Sequence, residues 1–184
     1  MLLALALALL FAAGVVLYVA PASPLWRLVY RVDHVALVQD AAERHGLDPA
    51  LVCAVIKCES NWDEDAVSHA GAVGLMQVMP STAESLSDRD IVDGSLYDPS
   101  SLDDPVVNLE YGCANLEYLQ EHLSSLSEVI AAYNAGLGSV QGWLSDGGSI
   151  PESIEYEETR TYLQRVLEAY EGYRANYPEG ITGA

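Results

Sequence analysis

Hydrophobic positions divide this chain into two regimes. Residues 2–20, LLALALALLFAAGVVLYVA, are an apolar run with no charge. From residue 33 onward, apolar residues recur at helical spacing, and no stretch alternates with period two for long enough to predict a sheet. The pattern predicts a helix from Asp33, as N-cap, to His45, with Gly46 just past its end. A second helix starts at Asp48-Pro49, an N-cap followed by proline at the first helical position. It places Leu51, Val52, Val55, Ile56 and Glu59 on one face, so a carboxylate ends an apolar stripe where the helix leaves the core. Glycines and aspartates dominate residues 61–80. Ser81 and Glu84 then have capping-box spacing for another helix. Residues 87–104 read as a polar surface loop, and further helices are expected near 105–123, 126–134, 137–145 and 156–174. The expected organisation is a hydrophobic segment at 1–22, a linker at 23–32, one all-α domain at 33–175 and a frayed tail at 176–184.

The apolar run is close to the ~20 residues that cross a bilayer as a helix and longer than the ~7–15 of a signal peptide's apolar region. A single-pass anchor is the first expectation. Ala20-Pro21-Ala22 offers a cleavage site and hence a secreted alternative. Arg27 and Arg31 favour a cytoplasmic side on a positive-inside count, but the chemistry below overrides them and places the domain outside the membrane.

Charge narrows the function. Asp and Glu number 27 and Lys and Arg only 8 in 184 residues, a net charge of −19, which excludes nucleic acid as a partner because phosphate binding needs Lys and Arg clusters. The three cysteines, Cys53, Cys58 and Cys113, form no C-x-x-C pair, and the four histidines lack metal-ligand spacing, so no metal and no cofactor are expected. Cys53 and Cys58 lie about 140° apart round a helix and should not bridge each other. Cys113 has two open readings, pairing with one of them or a buried free thiol. Asn61, Asp63 and Asp65 imitate the start of a calcium loop, yet Ala66 and Ala72 stand where such a loop needs Gly and Glu. Serine-triad, zinc-protease and phosphate-loop signatures are missing.

Three blocks remain: Cys58-Glu59-Ser60-Asn61-Trp62, residues 66–80 around Gly74-Leu75-Met76-Gln77, and Ala132-Tyr133-Asn134-Ala135-Gly136. Taken singly, Glu59 is an ordinary solvated acid, Met76 and Met79 are core filling, and Tyr133 is a buried tyrosine. Asp63, Glu64 and Asp65 read as solvated loop acids with nothing apolar to position them. Trp62 and Trp143 divide between core packing and a ligand-facing platform, whereas Ser60 and Arg160 read as structural. A general acid at neutral pH requires a carboxylic acid whose pKa is raised by apolar surroundings, and Glu59 is the residue placed for it.

With Glu158-Thr159-Arg160 and Tyr162 as a fourth block in order, the chain from about His34 to Tyr173 resembles the catalytic domain of the soluble-type lytic transglycosylases, family 1. Its hydrophobic N-terminal segment is similar to that of membrane-tethered members. The acidity and the thiol of Cys58 beside Glu59 depart from that pattern. The resemblance implies a goose-type lysozyme-like fold, peptidoglycan strands as substrate and action as a monomer. It implies cleavage of the β-1,4 bond between N-acetylmuramic acid and N-acetylglucosamine without water, leaving 1,6-anhydro ends. Glu59 would act alone, first as acid and then as base. Ser68, Gln77, Met79, Tyr133, Asn134 and Glu158 would bind substrate. A muramidase-type hydrolase and an inactive wall-binding module are the competing readings.

Overall fold

The computed structural model describes residues 24–145 and 147–181. The hydrophobic segment at 1–22 lies outside the described residues, and among those described no helix is long and apolar enough to cross a membrane. Eight helices are described: α1 Pro24–Val29, α2 Val35–Arg44, α3 Pro49–Glu59, α4 Pro80–Asp88, α5 Pro105–His122, α6 Leu126–Ala135, α7 Leu137–Leu144 and α8 Glu157–Asn176. Strand pairing among the described residues is confined to two isolated bridges, Val67 to Val73 and Val73 to Val78, which make a small tongue before α4. The all-α expectation holds.

Helix α3 is the axis of the domain. Asp48 accepts the Ala50 N–H at 2.8 Å and Pro49 supplies a preset φ, so α3 starts where the sequence places it. The expected single apolar face is replaced by complete burial, because Ala50 through Ile56 are all buried with α8 and α2 packed around them. Helix α5 begins with the same grammar, Asp104 accepting from Val106 N–H at 2.7 Å ahead of Pro105. At α6 Ser125 caps the Glu128 N–H and Glu128 takes the Ser124 N–H in return. Helix α2 closes as a Schellman motif: Gly46, at φ 59°, lets Leu47 N–H reach the Ala42 carbonyl at 2.8 Å.

Four local expectations are corrected. Asp33 does not cap α2, because its carboxylate faces Arg31 at 3.3 Å; the N-cap is His34, in the left-handed region at φ 54°. Ser81 does not cap α4, because Pro80 takes the first helical position and moves the cap to Met79. The expected linker is docked: residues 24–29 are helical, and Tyr30 seats its ring so closely on Gly172 of α8 that a Cβ there would fall 2.1 Å from a ring carbon. The tail is not frayed as far as residue 181, since Ile181 is buried and its carbonyl accepts from Gln39 Nε2 at 2.5 Å.

The three cysteines are free thiols, with Cys53 and Cys113 buried. Trp62 donates through Nε1 to Tyr173 Oη at 3.0 Å and is buried, and Trp143 packs edge-on to Tyr156, so both rings belong to the core and neither is a platform. Among the described residues no group of His, Cys, Asp and Glu is arranged to hold a metal ion.

Candidate functional site

Glu59 closes the last turn of α3 and is half-buried. Burial pushes its carboxyl from 4.5 up to about 7, while the Tyr162 hydroxyl and the Arg165 charge hold it down. Its place at a helix C-terminus also disfavours the anion. Tyr162 Oη donates to Glu59 Oε1 at 2.7 Å from the first half of α8. One turn on, Arg165 donates through Nη2 to the Cys58 carbonyl at 3.1 Å, keeping its charge near the acid. No second carboxylate is among the groups acting on Glu59. Asp63 accepts from the Asp65 N–H at 3.1 Å, Glu64 pairs with His34 at 3.1 Å, and all three loop acids are exposed.

The wall beside Glu59 is the tongue, and helices fix it at its tip. Ser60 Oγ donates to the Leu75 carbonyl at 2.8 Å and Tyr133 Oη to the Met76 carbonyl at 2.9 Å. Asn108, buried in α5, accepts the Met76 N–H at 2.8 Å and donates to the carbonyls of Val73 at 2.7 Å and Leu102 at 2.9 Å. Gly74 is required on two counts: its φ is 75°, and a Cβ would lie 2.4 Å from Asn108 Nδ2. Gly112 likewise leaves room for the Met76 thioether. Tyr133 feels the Glu59 charge, and burial together with that charge pushes its hydroxyl well above the ordinary tyrosine range, so it stays a neutral hydrogen-bonding group.

The other residues singled out in the sequence fall in two groups. Ser68, Gln77 and Met79 belong to the tongue. Ser68 Oγ accepts the Ala72 N–H at 2.9 Å, and Gln77, at φ 48°, gives both amide hydrogens to the Ala66 and Gly74 carbonyls, each at 3.0 Å. Only the Gln77 carbonyl oxygen is left for a ligand. Met79 is exposed at the start of α4. Asn134 and Glu158 line, with Tyr162 and Arg165, a hollow of about 260 Å³ that reaches the acid through Tyr162. Asn134 Oδ1 accepts from Thr159 Oγ1 at 2.7 Å, leaving its amide hydrogens outward.

Sequence reasoning placed Tyr162 within a motif without giving it a role, and it missed Arg165 and Asn108. Tyr162 lies 103 residues from its partner and Asn108 lies 32 from its own, beyond the reach of helical or turn patterns. No sequence pattern marked Asn108, since α5 also carries Asn115, Gln120 and Glu110; its role shows only in its burial and its full set of bonds.

The Transglycosylase SLT domain pattern matches residues 36–154. Over 128 residues the chain is 37% identical to the soluble lytic murein transglycosylase of Escherichia coli (strain K12), covering 65% of this chain and 19% of that protein. It is 35% identical over 165 residues to membrane-bound lytic murein transglycosylase C of Edwardsiella ictaluri (strain 93-146), covering 75% of this chain and 45% of that protein. A solved structure of an inactive glutamate-to-glutamine mutant of the lytic transglycosylase Slt from Pseudomonas aeruginosa matches with a TM-score of 0.73 at 32% identity, over 85% of this chain and 26% of that one. The chain thus spans less than half the length of these relatives. With the family pattern over most of the domain and the all-helical architecture of the Slt neighbour, the chain belongs to the transglycosylase SLT domain family and has its lysozyme-like fold.

Proposed function

We propose that this protein is a peptidoglycan lytic transglycosylase in which Glu59 is the sole acid and base. The observation that carries the reading is one half-buried carboxyl, raised to about 7 by burial, that accepts from Tyr162 with the Arg165 charge nearby and no second carboxylate among the groups that shift it. Glycosidases that use water or an enzyme nucleophile pair two carboxyls about 5–10 Å apart. With a single acid, the attacking group must come from the substrate. The protonated Glu59 gives its proton to the oxygen between N-acetylmuramic acid and N-acetylglucosamine as the C1–O bond breaks. The acetamido carbonyl of the muramyl residue stabilises C1. The Glu59 carboxylate then takes the proton of the 6-hydroxyl, whose oxygen bonds to C1 and leaves a 1,6-anhydro end with the acid reprotonated. Holding the reacting groups on one sugar supplies the orientation advantage that intramolecular reactions show, up to about 7–11 kcal/mol. The unused Asn134 amide and the Gln77 carbonyl oxygen are matched to sugar hydroxyls and the acetamido group, and Glu158 lines the same hollow. Ser68 and Met79 extend that surface along the tongue.

We further place the domain, residues 33–175, on the wall side of a membrane held by the apolar run at 1–22; a relative named membrane-bound supports membrane association. Mass analysis of muropeptides released from purified wall tests the chemistry. Anhydro ends, one water lighter than hydrolysed ends, are expected from the wild type and no cleavage from Glu59→Gln. Reducing muramyl ends would establish a hydrolase, and cleavage that survives the substitution would remove Glu59 from the mechanism.

A further inference from the structure

Four of the eight basic residues in this strongly acidic chain gather around α1. Arg27 stacks over the Tyr177 ring at 5.6 Å and Lys57 over the Tyr30 ring at 5.6 Å. Arg31 donates to the Asn61 carbonyl at 3.1 Å, and Arg165 shares with Tyr30, Lys57 and Asn61 a hollow of about 380 Å³. Asp33, paired with Arg31, Glu168, in that hollow, and Glu59, near Arg165, are acids among them. From this neighbourhood α1 presents Leu28, Leu25 and Val29, which are 75%, 51% and 47% exposed. Trp26 stacks on Tyr30 behind them at 6.0 Å. Exposed leucines, an amphipathic tryptophan and tyrosines, and cations in a ring are the composition of a surface that lies at a bilayer interface.

We propose that the α1 face docks on an anionic bilayer surface. Two observations select lipid as the occupant. The chain that leads into α1 is the uncharged run of residues 2–20, so the patch lies where that run meets the domain. The charge asymmetry also orients the molecule: basic side chains near the surface are attracted to anionic headgroups, while the acidic remainder is repelled and turned outward. The docking rests on the membrane placement proposed for the apolar run and is independent of the glycan chemistry.

The full chain is mixed with vesicles of phosphatidylcholine and phosphatidylglycerol, with brominated lipid as a quencher of tryptophan emission. Flotation is expected from the apolar run alone, so the docking is read from quenching that disappears in Trp26→Phe, since Trp62 and Trp143 are buried. The exposed substitutions Leu28→Glu and Arg27→Glu together should weaken the quenching about tenfold, as lost apolar burial and reversed charge require. The same pair should leave cleavage of soluble glycan fragments unchanged, whereas Glu59→Gln should leave the quenching unchanged, which separates this proposal from the catalytic one. Flotation without Trp26 quenching would show a domain standing off the lipid and overturn the docking. Absence of flotation, or retention on lipid-free wall in its place, would overturn it as well.

Discussion

At the scale of single residues, the Glu59 environment makes activity and stability oppose each other. The folded state holds a proton with a pKa of about 7 where the unfolded chain holds it at 4.5, so stability is lost as pH rises across that interval and the loss is complete above it. The shift corresponds to about 3 kcal/mol. Glu59→Gln, which cannot ionise, is therefore expected to be more stable than the wild type by about 1–3 kcal/mol at pH 8 and nearly equal at pH 4.5, as thermal melts at the two pH values would show. An unchanged difference would mean that the carboxyl is not held protonated. Cleavage should decline as pH rises through about 7, as the acid loses its proton. Tyr162→Phe removes the hydroxyl that favours the anion, so the alkaline limb of the pH–rate profile should move upward; a lower rate with an unmoved limb would make Tyr162 only a spacer. The raised acid was legible from an apolar helix ending in glutamate. Its tyrosine partner was not, because contact between α3 and α8 is a product of tertiary packing.

At the scale of elements, the tongue is shaped by its own bonds and positioned by the helices around it. Backbone pairing and the Gln77 amide hold its turns, while the placement of the Leu75 and Met76 peptides rests on Ser60 at the end of α3, Asn108 of α5 and Tyr133 of α6. Asn108→Ala leaves the buried Met76 N–H and the Leu102 carbonyl unpaired, while the Val73 carbonyl keeps the Val78 N–H, and we expect a loss of about 2–4 kcal/mol in denaturant unfolding with a larger fractional loss of cleavage. A neutral substitution would show that water replaces the amide. Aspartate and proline at 48–49 made the start of α3 readable in advance, because N-capping and a fixed φ are local properties. The same local rule failed at Asp33, where Arg31 competes for the carboxylate, and at Ser81, where the preceding proline had already begun the helix.

At the scale of the whole molecule, a net charge of −19 is a standing repulsion that the compact state must bear. Added salt shortens its range, with a Debye length near ~10 Å at 0.1 M, so the melting temperature should rise with sodium chloride. A falling melting temperature would show that the acids are engaged in pairs and not in repulsion. The helical class and the order of most elements followed from periodicity. That the supposed linker is seated on α8 did not, since Tyr30 on Gly172 is a steric match between distant residues. Residues 29–31 are fastened by four bonds: Lys57 to the Val29 carbonyl, Tyr177 to that of Tyr30, Tyr173 to that of Arg31, and Arg31 to that of Asn61. The polypeptide thus has no slack between Val29 and the acid, so the reach of the scissile centre from wherever the preceding chain is held is set by a solid body and not by a leash.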